Sequence, residues 1–197
     1  LHRFQIPLLV NEQDAPLPQF TSCCPAWVKF VEYYYPELIP HLSSARSPIG
    51  MHGPVIKTYF AEKEGIDPKN IVTVSIMPCT AKKFEAQRDE LGNDGFQDVD
   101  YVLTTRELAR MIKRAGILFN RLPDEEFDQD LMGDYTGAGV IFGVTGGVME
   151  AALRTAAEVI TGTELDNPEF HDVRGMEGVK EASYKLGDLD VKVAIAS

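Results

Sequence analysis

The run of residues 71–77 constrains the fold of this chain most strongly. It is mostly apolar, rich in β-branched residues, and stops at Pro78-Cys79. Such a run is typical of a strand buried on both faces of a parallel sheet. A second short run, residues 100–103, leads into a helix that Thr104 caps, with Glu107 completing a capping box. The alternation predicts an α/β fold with largely parallel sheets flanked by helices.

The remaining periodic segments extend this pattern along the chain. Apolar residues at helical spacing predict helices from Pro25 to just before Pro36, over 54–64, over 105–115 and over 148–160. Leu108, Met111, Ile112 and Ala115 are the expected buried face of the third of these helices. Strands are predicted at 171–174, 181–186 and 191–196. A polar, irregular stretch at 117–136 suggests two lobes, 1–116 and 117–197.

Charge and cysteine content exclude several classes of function. Thirty acidic residues against nineteen basic ones give a net charge of −11, which argues against binding to a nucleic-acid backbone. No apolar stretch approaches the ~20 residues of a membrane span. Three cysteines form no disulfide framework, so we expect a reducing, cytoplasmic setting. The chain lacks an initiator methionine and is expected to be a fragment of a longer protein.

Two adjacent cysteines, Cys23 and Cys24, lie just before the helix that begins at Pro25. Adjacent side chains point apart, so the two thiols rarely bind one metal together. The pattern favours one metal ligand and one free thiol, and a position before a helix N-terminus favours the thiolate form. Two buried structural cysteines are the alternative.

Cys79 lies at the carboxyl end of the first predicted strand, where ligand sites of open α/β sheets gather. Lys82 follows within one turn, so its charge could face a group held by Cys79. A core cysteine and a solvated lysine are the alternative, and Lys83 is expected to be solvated. Two candidate ligands, Cys24 and Cys79, are too few for a closed zinc or iron–sulfur site.

The segments around these cysteines resemble two signature motifs of the FeFe-hydrogenase (iron-only hydrogenase) catalytic domain. The motifs are Thr-Ser-Cys-Cys-Pro-Ala-Trp at 21–27 and Met-Pro-Cys-Thr-Ala-Lys-Lys-Phe-Glu at 77–85. The stretches 34–45 and 137–156 are also similar to that family. The resemblance covers about residues 16–197 and implies that the whole chain, 1–197, is a fragment of this two-lobed α/β catalytic domain.

In such enzymes four cysteines hold a 4Fe–4S cluster, one of them bridging to a diiron unit that carries CO, cyanide and a dithiolate. Together these groups form the H-cluster. Carried over by position, the resemblance implies that Cys24 and Cys79 are metal ligands of the cluster. It also implies that Cys23 is the free thiol that passes protons to the diiron unit.

Further residues take their expected roles from the same resemblance. Ser43 matches the next hydroxyl on the proton route, and Lys82 matches the lysine that donates a hydrogen bond to one cyanide. Met77 matches a methionine packed against the diiron unit, and Phe142 is expected to line the apolar wall of the pocket. Glu85 is expected to give structural support.

The resemblance implies an enzyme that reversibly reduces protons to H2 with electrons from ferredoxin or a similar donor. Maturation proteins would assemble its cofactor. The third motif, with the two remaining cysteine ligands, is absent and expected beyond Ser197. These 197 residues alone are therefore expected to be inactive and without an intact cluster. Residues 1–13 show no confident match to the acidic part of the proton route.

Two other functions fit parts of the sequence. Hydrogenase-like factors of iron–sulfur assembly share the first motif but lack the Met-Pro-Cys form of the second, so Met77 and Lys82 weigh against that function. H2-sensing homologues tend to replace the proton-relay cysteine. Because Cys23 is retained, catalytic turnover is favoured.

Overall fold

A computed structural model describes residues 16–93, 95–126, 137–165 and 168–196. The described residues fall into two compact units, one within 16–126 and the other within 137–196. Residues 127–136, which connect the two units in sequence, lie outside the described part. The division into lobes 1–116 and 117–197 stays a prediction.

Short helices and strands alternate in the first unit. Its helices are α1 (Pro25–Tyr34), α2 (Pro48–Val55), α3 (Ala61–Glu64), α4 (Ala81–Glu85) and α5 (Thr105–Arg114). Its strands are β1 (Val74–Met77), β2 (Gly92–Asn93), β3 (Phe96–Gln97) and β4 (Tyr101–Thr104). A π-helical turn, Ile56–Phe60, joins α2 to α3, and 3-10 turns lie at Pro36–His41, Pro68–Asn70, Asp89–Leu91 and Phe119–Arg121.

The strand pair β1–β4 is parallel, and its register runs from Val74 opposite Tyr101 to Met77 opposite Thr104. The mixed α/β class expected from the sequence is confirmed. The strands β2 and β3 form a two-residue antiparallel ladder. The burial on both faces expected for the first strand is wrong: one face of the pair is open, with Ile76 47% and Tyr101 62% exposed, whereas Val102 on the other face is 7% exposed.

Local sequence signals set most helix ends. Thr104 and Glu107 form the predicted capping box at the start of α5. Gly65 ends α3 with a φ of 65°, a left-handed conformation that favours glycine. The helix predicted to begin at Pro54 begins at Pro48 instead. The side chain of Ser47 accepts a hydrogen bond from Gly50 N and caps this earlier start.

The first unit has a small buried core. Ala86, Val99 and Val102 form a buried cluster, and Ile49 packs against it. The predicted buried face of α5 is only partly right. Of its members, Leu108 and Ile112 are half-buried, whereas Met111 and Ala115 are exposed.

The second unit carries two helices and a sheet among its described residues. They are α6 (Ala138–Ile141), α7 (Gly147–Thr161), β5 (His171–Asp172), β6 (Val179–Leu186) and β7 (Leu189–Ala196). The strand order is β5-β6-β7 and both pairings are antiparallel. This differs from the largely parallel arrangement expected. A turn of two residues joins β6 to β7, and only antiparallel neighbours allow so short a connection.

The start of α7 requires glycine. A Cβ at Gly147 would collide with the backbone oxygen of Ile141. The glycine-rich stretch therefore serves the close approach of α6 and α7. Within the described residues, no helix is both long and apolar enough to cross a membrane.

Candidate functional site

The first cysteine motif is an extended segment that ends in a helix. Cys24 occupies the N-cap position of α1 with extended backbone angles, and its side chain makes no capping hydrogen bond. Cys24 is exposed, Cys23 is half-buried, and neither forms a disulfide. Pro25 starts the helix because its missing N–H would have no partner there. The thiol of Cys24 is therefore available to a ligand.

Backbone pairing brings Ser43 beside this motif. Phe20 and Leu42 form a parallel bridge, in which Phe20 N donates to His41 O and Ser43 N donates to Phe20 O, both at 2.8 Å. The hydroxyl of Ser22 lies 2.7 Å from the carbonyl oxygens of both Ser43 and Ala45. Ser43 is buried, with 8% of its surface exposed. The expected proton-route hydroxyl thus lies on the strand-like segment paired with the first motif.

The second motif is joined directly to the first by Lys82. This residue lies in the first turn of α4, three positions after the half-buried Cys79. Only 4% of Lys82 is exposed. Its Nζ donates to the backbone oxygen of Cys23 at 2.8 Å and to Glu85 Oε2 at 2.7 Å. One ammonium therefore holds the cysteine segments together and is neutralised by a buried carboxylate.

Two side-chain pairs clamp α1 against α4 and the residues that follow it. The Nζ of Lys29 lies 3.6 Å from the centre of the Phe84 ring, a favourable cation–π distance. Arg88 donates to both carboxylate oxygens of Glu32, at 2.7 and 3.2 Å. The hydrogen bond with Glu32 is the largest cause that raises the pKa of Arg88 above its usual value. We call these four residues the helix clamp.

The Lys83 side chain is 40% exposed, so it is partly solvated as expected, but it also makes contacts that the sequence did not predict. Its Nζ donates to Val102 O at 3.0 Å and lies 2.9 Å from Glu107 Oε2. Glu107 also accepts from Thr104 N at 2.8 Å. The Thr104 backbone N–H, and after it Lys83, lower the pKa of Glu107 to about 2. Lys83 therefore ties α4 to β4 and to the capped end of α5.

A buried polar network lies at the opposite ends of the strands, before β1 and β4. Lys57, in the π-helical turn, is 2% exposed and lies 2.7 Å from Asp100 Oδ2. Its Nζ also donates to Gln97 O at 2.6 Å. Thr73 donates to Asp100 through its backbone N–H at 2.7 Å. Burial alone would raise the pKa of Asp100, but Lys57 and Thr73 together hold it below its usual value.

Met77 and Phe142 are the two remaining site residues expected from the sequence. Met77 is the last residue of β1 and is half-buried, two positions before Cys79. Phe142 belongs to the second unit, where it ends α6 and is 36% exposed. Its role in an apolar wall stays a prediction.

The thiols of Cys24 and Cys79 are the best candidates for metal ligands on the two joined segments. No group of three or more Cys, His, Asp or Glu side chains able to hold a metal ion occurs among the described residues. They would offer two soft sulfur donors, and the third thiol, that of Cys23, lies on the same segment as Cys24.

Comparison with known proteins places the chain among hydrogenases. The family model for the C-terminal domain of the iron-only hydrogenase large subunit matches residues 4–197. The periplasmic Fe hydrogenase large subunit of Nitratidesulfovibrio vulgaris is 59% identical over 187 residues, which is 95% of this chain and 44% of that protein. Iron hydrogenase 1 of Clostridium pasteurianum is 53% identical over 184 residues, 93% of this chain and 32% of that protein. The chain thus spans less than half the length of either relative.

Solved structures give the same result. An apo variant of FeFe-hydrogenase HydA1 from Chlamydomonas reinhardtii matches with a TM-score of 0.77 and 49% identity, covering 92% of this chain and 45% of that chain. A more distant match is cytosolic iron-sulfur assembly component 3 of Rattus norvegicus, 30% identical over 196 residues, 94% of this chain and 40% of that protein.

Proposed function

Because the chain belongs to the iron-only hydrogenase large-subunit family, we propose that it forms part of a catalytic domain that reversibly combines protons and electrons into H2. The observation that carries the proposal is the contact of the two cysteine motifs through Lys82, 2.8 Å from the backbone oxygen of Cys23. Segments that lie 59 positions apart in sequence are thereby held side by side.

The donor set fits part of the H-cluster, the 4Fe–4S cluster joined to a diiron unit. Iron–sulfur clusters are held by cysteine thiolates. We propose Cys24 and Cys79 as two of the four ligands, since both are free and lie on the joined segments. The chain has three cysteines, so residues outside this sequence must complete the set. When bound, the cofactor supplies the redox chemistry that the side chains cannot.

The chain's own residues would deliver protons and exclude water. Cys23 is half-buried and next to the proposed ligand, so its thiol is placed to hold a proton and pass it on. The buried Ser43 is the proposed neighbour on that route. Lys82 has three donors, and its bonds to Cys23 O and Glu85 use two of them. The third is available to an anionic group such as cyanide, and Met77 would pack against the same unit.

Two matched variants of the full-length protein test these roles. Cys23→Ala should retain the iron content of the wild type and lose H2 evolution, because only a proton carrier is removed. Cys79→Ser should lose iron as well as activity, because a cluster ligand is removed. Wild-type H2 evolution by Cys23→Ala would refute the proton-relay role, and wild-type iron content in Cys79→Ser would refute the ligand assignment.

An iron–sulfur assembly factor is the second candidate, since a component of cytosolic assembly is 30% identical over most of the chain. The higher identity to the hydrogenases favours catalysis. An H2-sensing homologue is the third candidate. Catalytic turnover of H2 by the purified full-length protein, measured with a reduced dye, would exclude the assembly role.

An electron carrier is the partner that proton reduction requires. We propose ferredoxin or a similar donor, and maturation proteins that insert the diiron unit. H2 evolution with reduced ferredoxin, compared with other reduced carriers, tests the first. Production of the protein with and without hydrogenase maturation proteins tests the second. We further propose a cytoplasmic location from the three free cysteines. One relative is named as periplasmic, so cell fractionation is the test of this location.

A further inference from the structure

Asp98 has a carboxylate oxygen that is buried and unsatisfied. The residue is 2% exposed, and its Oδ2 accepts from Arg46 Nη1 at 3.2 Å. Its Oδ1 meets no hydrogen-bond partner in the part of the chain that the structure describes. Burial of an acceptor without a donor is strongly unfavourable. The geometry of Asp98 therefore calls for a donor that the described residues do not supply.

A small cavity lies beside Asp98. Its water-accessible volume is about 10 Å³, and Asp98 and Glu85 line it together with the apolar side chains of Ile49, Ala86 and Val99. This is about the space that one water molecule occupies. A larger ligand does not fit.

The charges of the two carboxylates select the ligand. Asp98 is already paired with Arg46, and Glu85 is already paired with Lys82 at 2.7 Å. A metal cation would find no net negative charge here, and an anion without a hydrogen-bond donor offers nothing to Asp98 Oδ1. A neutral molecule that donates two hydrogen bonds satisfies Asp98 Oδ1 and has a second donor for Glu85 without adding charge.

We propose that one water molecule binds in this cavity, donating to Asp98 Oδ1 and to Glu85. The water connects the buried Lys82–Glu85 pair to the Asp98–Arg46 pair. Because 45% of the Arg46 side chain is exposed, the hydrogen-bonded chain runs from the joint of the two cysteine motifs to the surface. This site does not depend on the proposed catalytic function.

A crystal structure of the full-length protein that resolves ordered waters is the direct test. We expect one water at about 2.6–3.2 Å from Asp98 Oδ1, with a second contact to Glu85. An empty cavity, or an Asp98 whose Oδ1 is paired with a protein donor, would overturn the proposal. This experiment needs no variant, so it holds even if a substitution prevents folding.

A mutant cycle measures the same water in solution. Ala86→Val should fill the cavity, expel the water and strand Asp98 Oδ1, raising the unfolding equilibrium constant at least about fivefold. In an Asp98→Leu background the same change should cost less, since the orphaned Asp98 Oδ1 is no longer there to be stranded. Ala109→Val, on the exposed side of α5, controls for the general effect of an alanine-to-valine change. An equal penalty for Ala86→Val in both backgrounds would show overpacking alone and refute the water.

Discussion

The helix clamp predicts a measurable coupling between Glu32 and Arg88. Their side chains are 32% and 25% exposed, so they lie between the surface and the interior. Exposed ion pairs contribute about 0.2–1 kcal/mol, whereas hydrogen bonds to charged groups contribute about 1.5–3 kcal/mol. Two such bonds, at 2.7 and 3.2 Å, and the partial exposure together give an expected coupling of about 1–2 kcal/mol.

The assay is a double-mutant cycle in the full-length protein. Glu32→Gln, Arg88→Gln and the double variant are unfolded with denaturant, and the coupling is the departure from additivity of the free energies of unfolding. Glu150 and Arg154 form a matched control, because they are 25% and 35% exposed but lie on one helix, four positions apart. We expect about 0.3–0.5 kcal/mol for this local pair.

The reason for the difference is what each pair connects. Glu32 and Arg88 are 56 positions apart in sequence, so their bond holds two elements that separate on unfolding. The Glu150–Arg154 pair holds only one turn of α7. A coupling between Glu32 and Arg88 no larger than that of the control would refute the view that the clamp fixes the cysteine segments to each other.

Three further predictions concern stability. The pKa of Glu107 is about 2 in the folded chain against a usual 4.5, so its stabilising effect is present above about pH 4.5 and is lost as the pH falls toward 2. Glu107→Gln should therefore flatten the acid side of the stability curve measured by denaturant unfolding, and an unchanged curve would contradict this. Thr104→Ala should cost about 1 kcal/mol through loss of the N-cap, with the exposed Thr105→Ala as an unaffected control in the same assay. Lys57→Met should cost about 3 kcal/mol because it leaves Asp100 without its cation, and a smaller loss than for Thr104→Ala in thermal unfolding would contradict that reasoning.

Local signals in the sequence were enough to predict the elements that carry the site. The β-branched run before Cys79, the proline at the start of α1 and the capping box of α5 each act over a few residues, so each could be recognised without tertiary structure. The same locality explains the error at Pro54. Both Pro48 and Pro54 are acceptable first residues of a helix, and the cap formed by Ser47 decides between them.

Contacts between distant residues could not be predicted in this way. Lys83 follows Lys82 directly, and nothing nearby in the sequence indicates that Lys83 reaches Val102 O and Glu107. The pairing of Glu32 with Arg88 likewise depends on how α1 and α4 pack. The hairpin formed by β6 and β7 shows the reverse case. Gly187 and Asp188, which link the two strands, are a local signal of antiparallel pairing that the composition of the strands obscured.

The half-covered strands β1 and β4 have a practical consequence. Among the described residues, each strand has one edge without a hydrogen-bonded neighbour. The side chains of Ile76 and Tyr101 expose apolar surface to water. Open strand edges with apolar flanks are templates for self-association. When these 197 residues are produced alone, we expect soluble yield to fall as the protein concentration rises. Low protein concentration during purification should limit this loss.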